Sequence, residues 1–306
     1  MTARPSYSWA GLADLDDIVG PVRPSRLHAI GARPSCGKTR FMLCLFDAFV
    51  SAGLKVAGCF TERSPDQFIR SWAALRLGMD EDAVLNEDWH LLPAGSEALV
   101  SATMAQMEEQ YAGHTAFIEA AAPSVSRLVA DVQIAKRDMG GVDVVMLDYL
   151  QKVQGGFGDQ PYVAWGKMMA ELQSLANSHG PAVFVTSQLH RSQHEVFDKY
   201  RPPTLDSGKG TGAIEECADV YLGLFRPLRP MAGKDEQAVK KGEKGLESFA
   251  EPNTMAVKVL KHRYRGKAGD RIIKVHLDPI TGRIGNYAGR SVPVWAGDAY
   301  EPETPF

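Results

Sequence analysis

The stretch IGARPSCGKTR, residues Ile30 to Arg40, decides the fold because it has the spacing G-x-x-x-x-G-K-T. Gly31, Gly37, Lys38 and Thr39 stand between an apolar run that predicts a strand and a segment that predicts a helix. This is the context that a phosphate-binding loop requires. Glycines let successive backbone N–H groups turn towards phosphate oxygens, and the helix amino terminus adds a favourable dipole. The sequence therefore predicts a nucleotide site on an α/β sheet.

The residues of this loop have separate expected roles. Lys38 is expected to reach the β- and γ-phosphates, and the Thr39 hydroxyl is expected to ligate Mg²⁺. An ordinary Gly-rich turn is the alternative, but a chance match to this motif in a chain of this length is on the order of one per cent. The loop residues expected to contact the nucleotide are Arg33, Pro34, Ser35, Cys36, Gly37, Lys38, Thr39 and Arg40.

The rest of the chain has the alternating pattern of an α/β protein with a mainly parallel, twisted sheet. Apolar runs predict strands at 26–32, 54–60, 115–121, 142–148, 181–188 and 219–225. Segments with helical periodicity predict helices at 38–52, 65–78, 124–138, 162–178 and 211–218. Continuous apolar strands such as VVML, residues 144–147, suit a sheet that helices cover on both faces.

The C-terminal part of the chain has a different pattern. Residues 253–266 and 270–287 alternate apolar with charged residues around a Gly-rich turn, which predicts an antiparallel hairpin. The charged, Gly-rich segment 229–253 is interpreted as a mobile loop. These patterns favour one domain over 11–290, with an N-terminal arm at 1–10 and a tail at 291–306.

Composition limits the partners and the compartment. The formal net charge is −3, so any contact with nucleic acid must come from local basic loops. There is no apolar run of the roughly 18 residues that a membrane-spanning helix needs, and the N-terminus lacks the apolar core of a signal peptide. We therefore expect a cytoplasmic protein without membrane partners. The thiols are expected to stay reduced, because no C-x-x-C pair occurs among Cys36, Cys44, Cys59 and Cys217.

Three more predicted strands end in a polar residue, and ligands of open α/β sheets lie beyond the carboxyl ends of the strands. Asp148 follows a fully apolar run in the Walker B pattern and would hold the Mg²⁺ shell; alternatively it caps the next element. Glu62 is suited to activating water as a general base, unless it is a solvated loop charge. Gln188 is suited to sensing the γ-phosphate, unless it makes a simple strand-end hydrogen bond.

At this point the ordered motifs resemble the RecA-type ATPase domain of DnaB-type replicative helicases, which are hexameric ring motors. The resemblance runs from about residue 11 to 287. It rests on the opening segment GLADLDDIVG, the loop GARPSCGKT, the Walker B segment DVVMLDYLQKV and the strand VFVTSQLHRS. It also rests on GAIEECADVYLGLFR and on LKHRYRGKAGD, where the family carries Lys-x-Arg-x-Gly.

The resemblance implies a role for each matching position. It implies that Glu62 is the catalytic glutamate, Asp148 the Mg²⁺-associated aspartate and Gln188 the γ-phosphate sensor. Lys261 and Arg263 match the pair that reaches the γ-phosphate of the neighbouring subunit, in an arginine-finger role. Solvated charge on an alternating strand is the alternative for this pair, and Arg265 is a competing finger candidate. Arg70 matches a family arginine near the phosphates, although its spacing from Glu62 is one residue shorter here.

The resemblance also implies single-stranded DNA as a partner, bound by loops after the Walker B and sensor strands. The first loop, 154–161, has no Lys or Arg and offers only backbone N–H groups, whereas the second, 189–212, is basic. For each basic side chain a solvated flexible loop is the alternative. His190 and His194 do not predict a metal site, because the H-E-x-x-H glutamate is missing. The predicted DNA-binding residues are Arg191, Lys199, Arg201 and Lys209.

Together these features predict an ATP- and Mg²⁺-dependent motor that forms a homo-oligomer, expected to be a hexamer, and unwinds DNA during replication. Another RecA-type DNA-dependent ATPase, such as a recombination mediator, is the alternative enzyme. A non-unwinding, ATP-gated ring scaffold or helicase partner is the alternative of another class. The motor pattern starts within about ten residues of Met1, so we expect no N-terminal collar domain. The sequence identifies no loader or primase partner.

Cys36 is the feature of the loop that departs from the family, which more often has Met or Gly there. A thiol beside a helix amino terminus is expected to have a lowered pKa. The sequence therefore raises the hypothesis that alkylating agents inhibit the ATPase and that bound nucleotide protects it. The alternative is that Cys36 is a small filler residue without a redox role.

Overall fold

The computed structural model of the chain describes residues 6–119, 123–152, 161–178, 180–189, 200–207, 211–229, 233–287 and 294–295. Its strands are β1 (Leu27–Ala32), β2 (Val56–Phe60), β3 (Thr115–Phe117), β4 (Val144–Asp148), β5 (Ala182–Gln188), β6 (Val220–Phe225), β7 (Thr254–His262), β8 (Arg271–Leu277), β9 (Ile284–Asn286) and β10 (Val294–Trp295). Its helices are α1 (Ala13–Ile18), α2 (Lys38–Ser51), α3 (Pro65–Leu77), α4 (Glu81–Leu85), α5 (Ser96–Gln110), α6 (Val125–Asp138), α7 (Pro161–Asn177), α8 (Thr211–Cys217) and α9 (Gly233–Lys240).

The strands form one sheet in the order β10-β8-β7-β6-β1-β5-β4-β2-β3, and β9 pairs with β8. In the part of the sheet with the order β3-β2-β4-β5-β1-β6, all neighbouring strands are parallel. Strands β7, β8, β9 and β10 pair antiparallel with their neighbours. The predicted α/β class, the mainly parallel sheet and the C-terminal hairpin are therefore confirmed. Because these strands are parallel, the carboxyl ends of β1, β2, β4 and β5 lie side by side at one end of the strands.

Helices cover both faces of the sheet, as the continuous apolar strands predict. Along β4, Val144 and Met146 belong to the core on the side of α2, while Val145 and Leu147 belong to the core on the side of α6 and α7. The alternation follows from the period of two in a strand. All five residues of β4 are buried, so the strand end is fixed in position by packing on both faces.

Local capping explains where the helices begin. In α3, Ser64 accepts from the Gln67 backbone and the Gln67 side chain accepts from the Ser64 backbone, with Pro65 in the first turn, and the helix ends at Gly78 in the left-handed conformation. Helix α2 begins at Lys38 after Gly37, whose φ of 95° is left-handed. Glycine tolerates this φ at little cost.

The predicted element bounds agree with the structure to within two residues, with some corrections. Strand β3 ends at Phe117 rather than at residue 121; among the described strands it lies at the edge of the sheet and pairs only with Val56–Gly58 of β2. The sequence patterns did not predict α1, α4, α5 or α9. Helix α5 was missed because few of its residues are buried, so its apolar spacing is sparse.

The predicted arm, mobile loop and tail also need correction. Trp9 is fully buried and donates from Nε1 to the Gly20 carbonyl at 2.8 Å, so the described end of the arm belongs to the domain. The segment 229–253 contains α9 and a 3₁₀ helix with buried Phe249, and its mobility stays a prediction. Val294–Trp295 pairs with β8, within the segment predicted as a tail.

Candidate nucleotide site

The carboxyl edge of the parallel strands holds a cleft of about 790 Å³ beneath the glycine loop. The loop residues Arg33, Pro34, Ser35, Gly37, Lys38, Thr39 and Arg40 line it, together with Glu62 and Gln188 from the neighbouring strand ends. Cys36 does not line the cleft: its side chain is buried at 1% exposure. The structure therefore brings together the loop and two of the three predicted strand-end residues, and Asp148 lies directly beneath them.

Asp148 is the centre of the polar contacts at the cleft floor. It ends β4, is 2% exposed, and its Oδ1 lies 3.0 Å from Lys38 Nζ. Thr39 Oγ1 donates to Asp148 Oδ2 at 3.2 Å, and Thr186 Oγ1 donates to Asp148 Oδ1. The buried carboxylate thus has a cation and two hydroxyl groups as partners, which satisfy it without water.

Glu62 is placed by the turn that follows β2. Just before it, Thr61 donates from its backbone N and its Oγ1 to the Asp148 carbonyl, at 2.7 Å and 3.0 Å. Glu62 itself is exposed at the cleft wall. These bonds tie the Glu62 turn to the Asp148 turn, so the two carboxylates keep a fixed relation although they come from different strands.

Gln188 ends β5 in register with Ala32 of β1. Its backbone N donates to Gln151 Oε1 at 3.0 Å, and Gln151 Nε2 donates to Ser187 Oγ at 2.9 Å. Gln151 belongs to the Tyr-Leu-Gln run after Asp148. The Walker B segment therefore braces the end of the strand that carries the predicted sensor.

Sequence reasoning missed several residues of the cleft. Arg226 directly follows β6 and lines the cleft, and burial is the main cause that lowers its pKa. The rule that singled out Asp148, a polar residue after an apolar strand, would also have found Arg226. Tyr149 lines the cleft too, with Lys38 Nζ 4.0 Å from its ring centroid, and burial raises its pKa. Arg63 and Tyr200 are further missed residues that line the cleft.

Arg70 is not brought to the cleft. Its Nε lies 2.9 Å from Asp66 Oδ2 and its Nη1 lies 3.1 Å from Glu87 Oε1, on the outer side of α3. The structure therefore does not support the expectation that Arg70 contacts the nucleotide. Arg63, beside Glu62, lines the cleft instead.

Lys261 and Arg263 lie at the opposite end of the strands, beside the amino end of β6, because β7 runs antiparallel to β6. Lys261 Nζ donates to the Glu215 carbonyl, and burial is the main cause that lowers its pKa. Arg263 Nη1 contacts Asp219 Oδ1 at 2.9 Å, and its Nη2 donates to the Glu216 carbonyl at 2.8 Å. These contacts hold both basic groups on the carboxyl end of α8.

Arg265, the competing finger candidate, is directed towards the N-terminal segment. Its Nη1 donates to the Asp17 carbonyl at 3.0 Å, and a Cβ at Gly20 would lie 2.6 Å from its guanidinium carbon. The close packing against Gly20 favours a structural role for Arg265 over a finger role.

Of the predicted DNA-binding residues, only Arg201 lies within the described part of the chain. Its carbonyl accepts from Arg33 Nη1 at 2.8 Å, which links the segment before α8 to the glycine loop. Arg191, Lys199 and Lys209 lie outside the described residues, as do His190, His194 and most of the loop 154–161.

The donor set at the cleft floor fits Mg²⁺ and the phosphates of a nucleotide. Thr39 and Asp148 offer hydroxyl and carboxylate oxygens, which are the ligands that Mg²⁺ prefers. A Cβ at Gly37 would meet Leu277 Cδ2 and Met255 Sδ at 3.4 Å, so the loop backbone passes close to the hairpin. Among the described residues no group of three or more His, Cys, Asp or Glu could hold a metal ion by itself, and no helix is long and apolar enough to span a bilayer.

Comparison with known sequences identifies relatives. A family model described as DnaB-like helicase C terminal domain matches residues 9–278. The replicative DNA helicase DnaB of Haemophilus influenzae is 27% identical over 228 residues, and the replicative DNA helicase DnaC of Bacillus subtilis is 25% identical over 224 residues. Both alignments cover 71% of this chain but only 45% and 46% of the relatives. The chain therefore spans about half the length of the curated relatives it matches.

Solved structures show the same fold. One of them, described as an ATPase domain, superposes with a TM-score of 0.73 at 19% identity, covering 94% of this chain and 93% of that chain. A structure of a DnaB-like replicative helicase and its interactions with primase has a TM-score of 0.72 at 18% identity, covering 93% of this chain and 63% of that one. At these identities the likeness establishes the fold alone.

Proposed function

Because this chain belongs to the DnaB-like helicase C-terminal domain family, we propose that it is the ATP-hydrolysing motor of a replicative-type DNA helicase. The observation that carries the proposal is the meeting of Lys38, Thr39, Asp148, Glu62 and Gln188 at one edge of a parallel sheet. The proposed substrates are ATP and single-stranded DNA. The proposed place of action is the cytoplasm.

Each residue of the cleft has a task that suits its position. Lys38 would bind the β- and γ-phosphates and so exchange its contact with Asp148 for one with the nucleotide. Thr39 and Asp148 would hold Mg²⁺, which when bound neutralises charge that develops on the phosphates. Glu62, exposed at the wall, would orient and deprotonate the attacking water. Gln188 would contact the γ-phosphate through a side chain on a rigid strand end.

Lys261 and Arg263 lie too far from the cleft of their own subunit to act there, so we assign them to the neighbouring subunit's nucleotide. Repeating this head-to-tail contact generates a ring, which is proposed to be a hexamer. Hydrolysis then depends on assembly, because each site is complete only at a subunit boundary. The motion of the ring would be transmitted to DNA through the segment of Arg201, which is bonded to the glycine loop through Arg33.

Mixed rings test the shared site. Lys38→Ala removes the phosphate contact and Arg263→Ala removes the trans cation, so each variant alone should be inactive. In an equal mixture, about one quarter of the boundaries should combine an intact cleft with an intact cation, and ATPase activity should return to that level. An inactive mixture, in rings that form normally, would mean that both residues act within one subunit.

Activity on a forked duplex tests the choice of function. A helicase separates the strands with ATP, whereas a recombination-type ATPase shows DNA-stimulated hydrolysis without separation. Mass measurement with and without ATP and single-stranded DNA reports the ring. If Glu62→Gln, which removes the proposed general base, left the function of the protein unchanged, an ATP-gated scaffold would replace the motor as the explanation.

A further inference from the structure

A cluster of one buried carboxylate and two arginines that line the cleft is not explained by the roles above. Glu81, in the first turn of α4, is 2% exposed. Its Oε2 lies 3.2 Å from Arg40 Nε, and its Oε1 lies 2.5 Å from Arg63 Nη1. A buried carboxylate needs paired cations, so Glu81 fixes both arginines in place.

Arg63 is anchored along one edge of its guanidinium group. Nη1 contacts both Glu81 and Ser71 Oγ, the latter at 2.6 Å, and Ser71 is itself fully buried. Within the described part of the chain, its Nε and Nη2 take part in none of these bonds. The side chain is 22% exposed and lines the cleft directly beside Glu62. The anchored fork thus presents its remaining N–H groups to the cleft.

Arg40 has a different environment. Besides Glu81, it donates from Nη1 to the Pro279 carbonyl at 3.0 Å, and it packs against Gly282. Both contacts belong to the turn between β8 and β9. Arg40 therefore fastens the hairpin to the cleft wall, whereas among the described residues Glu81 and Ser71 are the side chains that hold the Arg63 guanidinium.

We propose that Arg63, positioned by the buried Glu81, contacts the terminal phosphate of the bound nucleotide within its own subunit, and that Arg70 takes no part in nucleotide binding. This inference rests on the proposed function of the cleft. Arg63 follows Glu62, the residue assigned to the attacking water, and both residues line the cleft, which places Arg63 near the proposed γ-phosphate end of the site. A guanidinium fork held by a buried carboxylate is preorganised for phosphate oxygens, since little side-chain entropy is lost on binding.

The affinities for a non-hydrolysable ATP analogue and for ADP separate this role from general nucleotide binding. Arg63→Met should weaken the ATP analogue about tenfold or more, because a charge-assisted hydrogen bond is lost, and leave the ADP affinity within about twofold. Arg70→Met should change neither affinity, like the exposed control Arg137→Met. An unchanged ATP-analogue affinity in Arg63→Met, or a loss in Arg70→Met, would overturn the inference.

Glu81 is tested as a positioning residue. Glu81→Gln keeps the size of the side chain but removes the counter-charge of two arginines. Ser71→Ala is therefore measured as well, because it removes one contact of Arg63 while Glu81 stays in place. In Ser71→Ala, kcat should fall several-fold while KM for ATP changes little. Compared with Arg63→Met, Arg63→Lys should restore part of the affinity for the ATP analogue but not kcat. Equal weakening of the affinities for the ATP analogue and for ADP, or no change in kcat, would contradict positioning by Glu81 and Ser71.

Lys38→Ala separates failure of this inference from failure of the proposed function. If Lys38→Ala weakens both nucleotides and Arg63→Met weakens neither, the cleft is a nucleotide site and only the role of Arg63 is wrong. If Lys38→Ala leaves both affinities unchanged, the proposed function itself fails. The binding measurement gives this answer whether or not the wild-type chain hydrolyses ATP under the chosen conditions.

Discussion

His28 makes the stability of this domain depend on pH in a way that the structure quantifies. It lies in β1, fully enclosed: its ring stacks on Phe184 at 4.7 Å between centroids and meets Trp9 edge-on at 5.5 Å. Burial lowers the pKa of His28 from 6.5 to about 3 in the folded chain. Between these values the unfolded chain binds a proton that the folded chain does not.

The sign and magnitude follow from linkage. Because the folded pKa is the lower one, the His28 contribution is fully present above pH 6.5 and is lost as the pH falls towards 3. From pH 7.5 to pH 5, an unfolded pKa of 6.5 costs about 2 kcal/mol of unfolding free energy. This figure is the same for any folded pKa below about 4, so it depends on the burial of the ring and not on the size of the shift.

The assay is urea unfolding at pH 7.5 and pH 5, followed by the fluorescence of Trp9 and the other four tryptophans. Wild type loses stability from all titrating groups, so the test is a difference between variants. His28→Phe keeps the ring stack and should lose about 2 kcal/mol less than wild type over this interval. The exposed His90→Asn controls for loss of a histidine. If His28→Phe and wild type lost equal stability, the enclosed neutral histidine would be refuted.

Three further predictions concern the cleft and the thiols. Gly37→Ala and Gly53→Ala both place alanine at positive φ and should each lower the unfolding free energy by about 1–2 kcal/mol, but only Gly37→Ala should weaken ATP binding in a fluorescence titration. Asp148→Asn leaves Lys38 without its counter-charge, so it should cost about 1–3 kcal/mol in urea unfolding, whereas the exposed Asp138→Asn should cost little. Iodoacetamide followed by peptide mass mapping should modify half-buried Cys217 before the other three cysteines, which are buried; a first reaction at the loop thiol would restore the alkylation hypothesis.

The sequence sufficed for the sheet because its apolar runs and the glycine spacing are local signals. The strand ends at Asp148, Glu62 and Gln188 converge simply because parallel strands finish at the same edge. Family resemblance added the proposed trans pair, Lys261 and Arg263, which alternating charge on β7 alone does not distinguish from a solvated face. Arg70 pairs with Asp66 and Glu87 outside the cleft, and a difference of one residue in spacing along a helix changes the direction of a side chain by about 100°.

The sequence pattern does not show whether a polar group is buried. Glu81 stands in the acidic run DED, residues 80–82, which is typical of a solvated helix start, yet its carboxylate is enclosed by two arginines from distant segments. Cys36 stands in a loop expected to face the ligand, yet it is 1% exposed, which argues against the access of alkylating agents, and their effect stays a prediction. Both outcomes depend on long-range packing that no local pattern encodes.

The reversal of strand direction between β6 and β7 supports the proposal that a neighbouring subunit completes the site. β1 carries the glycine loop at its carboxyl end, while Asp219, which bonds Leu27 at its amino end, holds Arg263. The six residues of β1 separate these two ends by about 17 Å. An arginine side chain reaches about 7 Å from its Cα, so Arg263 cannot contact the phosphates of its own subunit. If Lys261 and Arg263 act on a nucleotide as proposed, a chain that carries its cleft at one end of the strands and these cations at the other end would complete the site by placing one end against the other in a second copy.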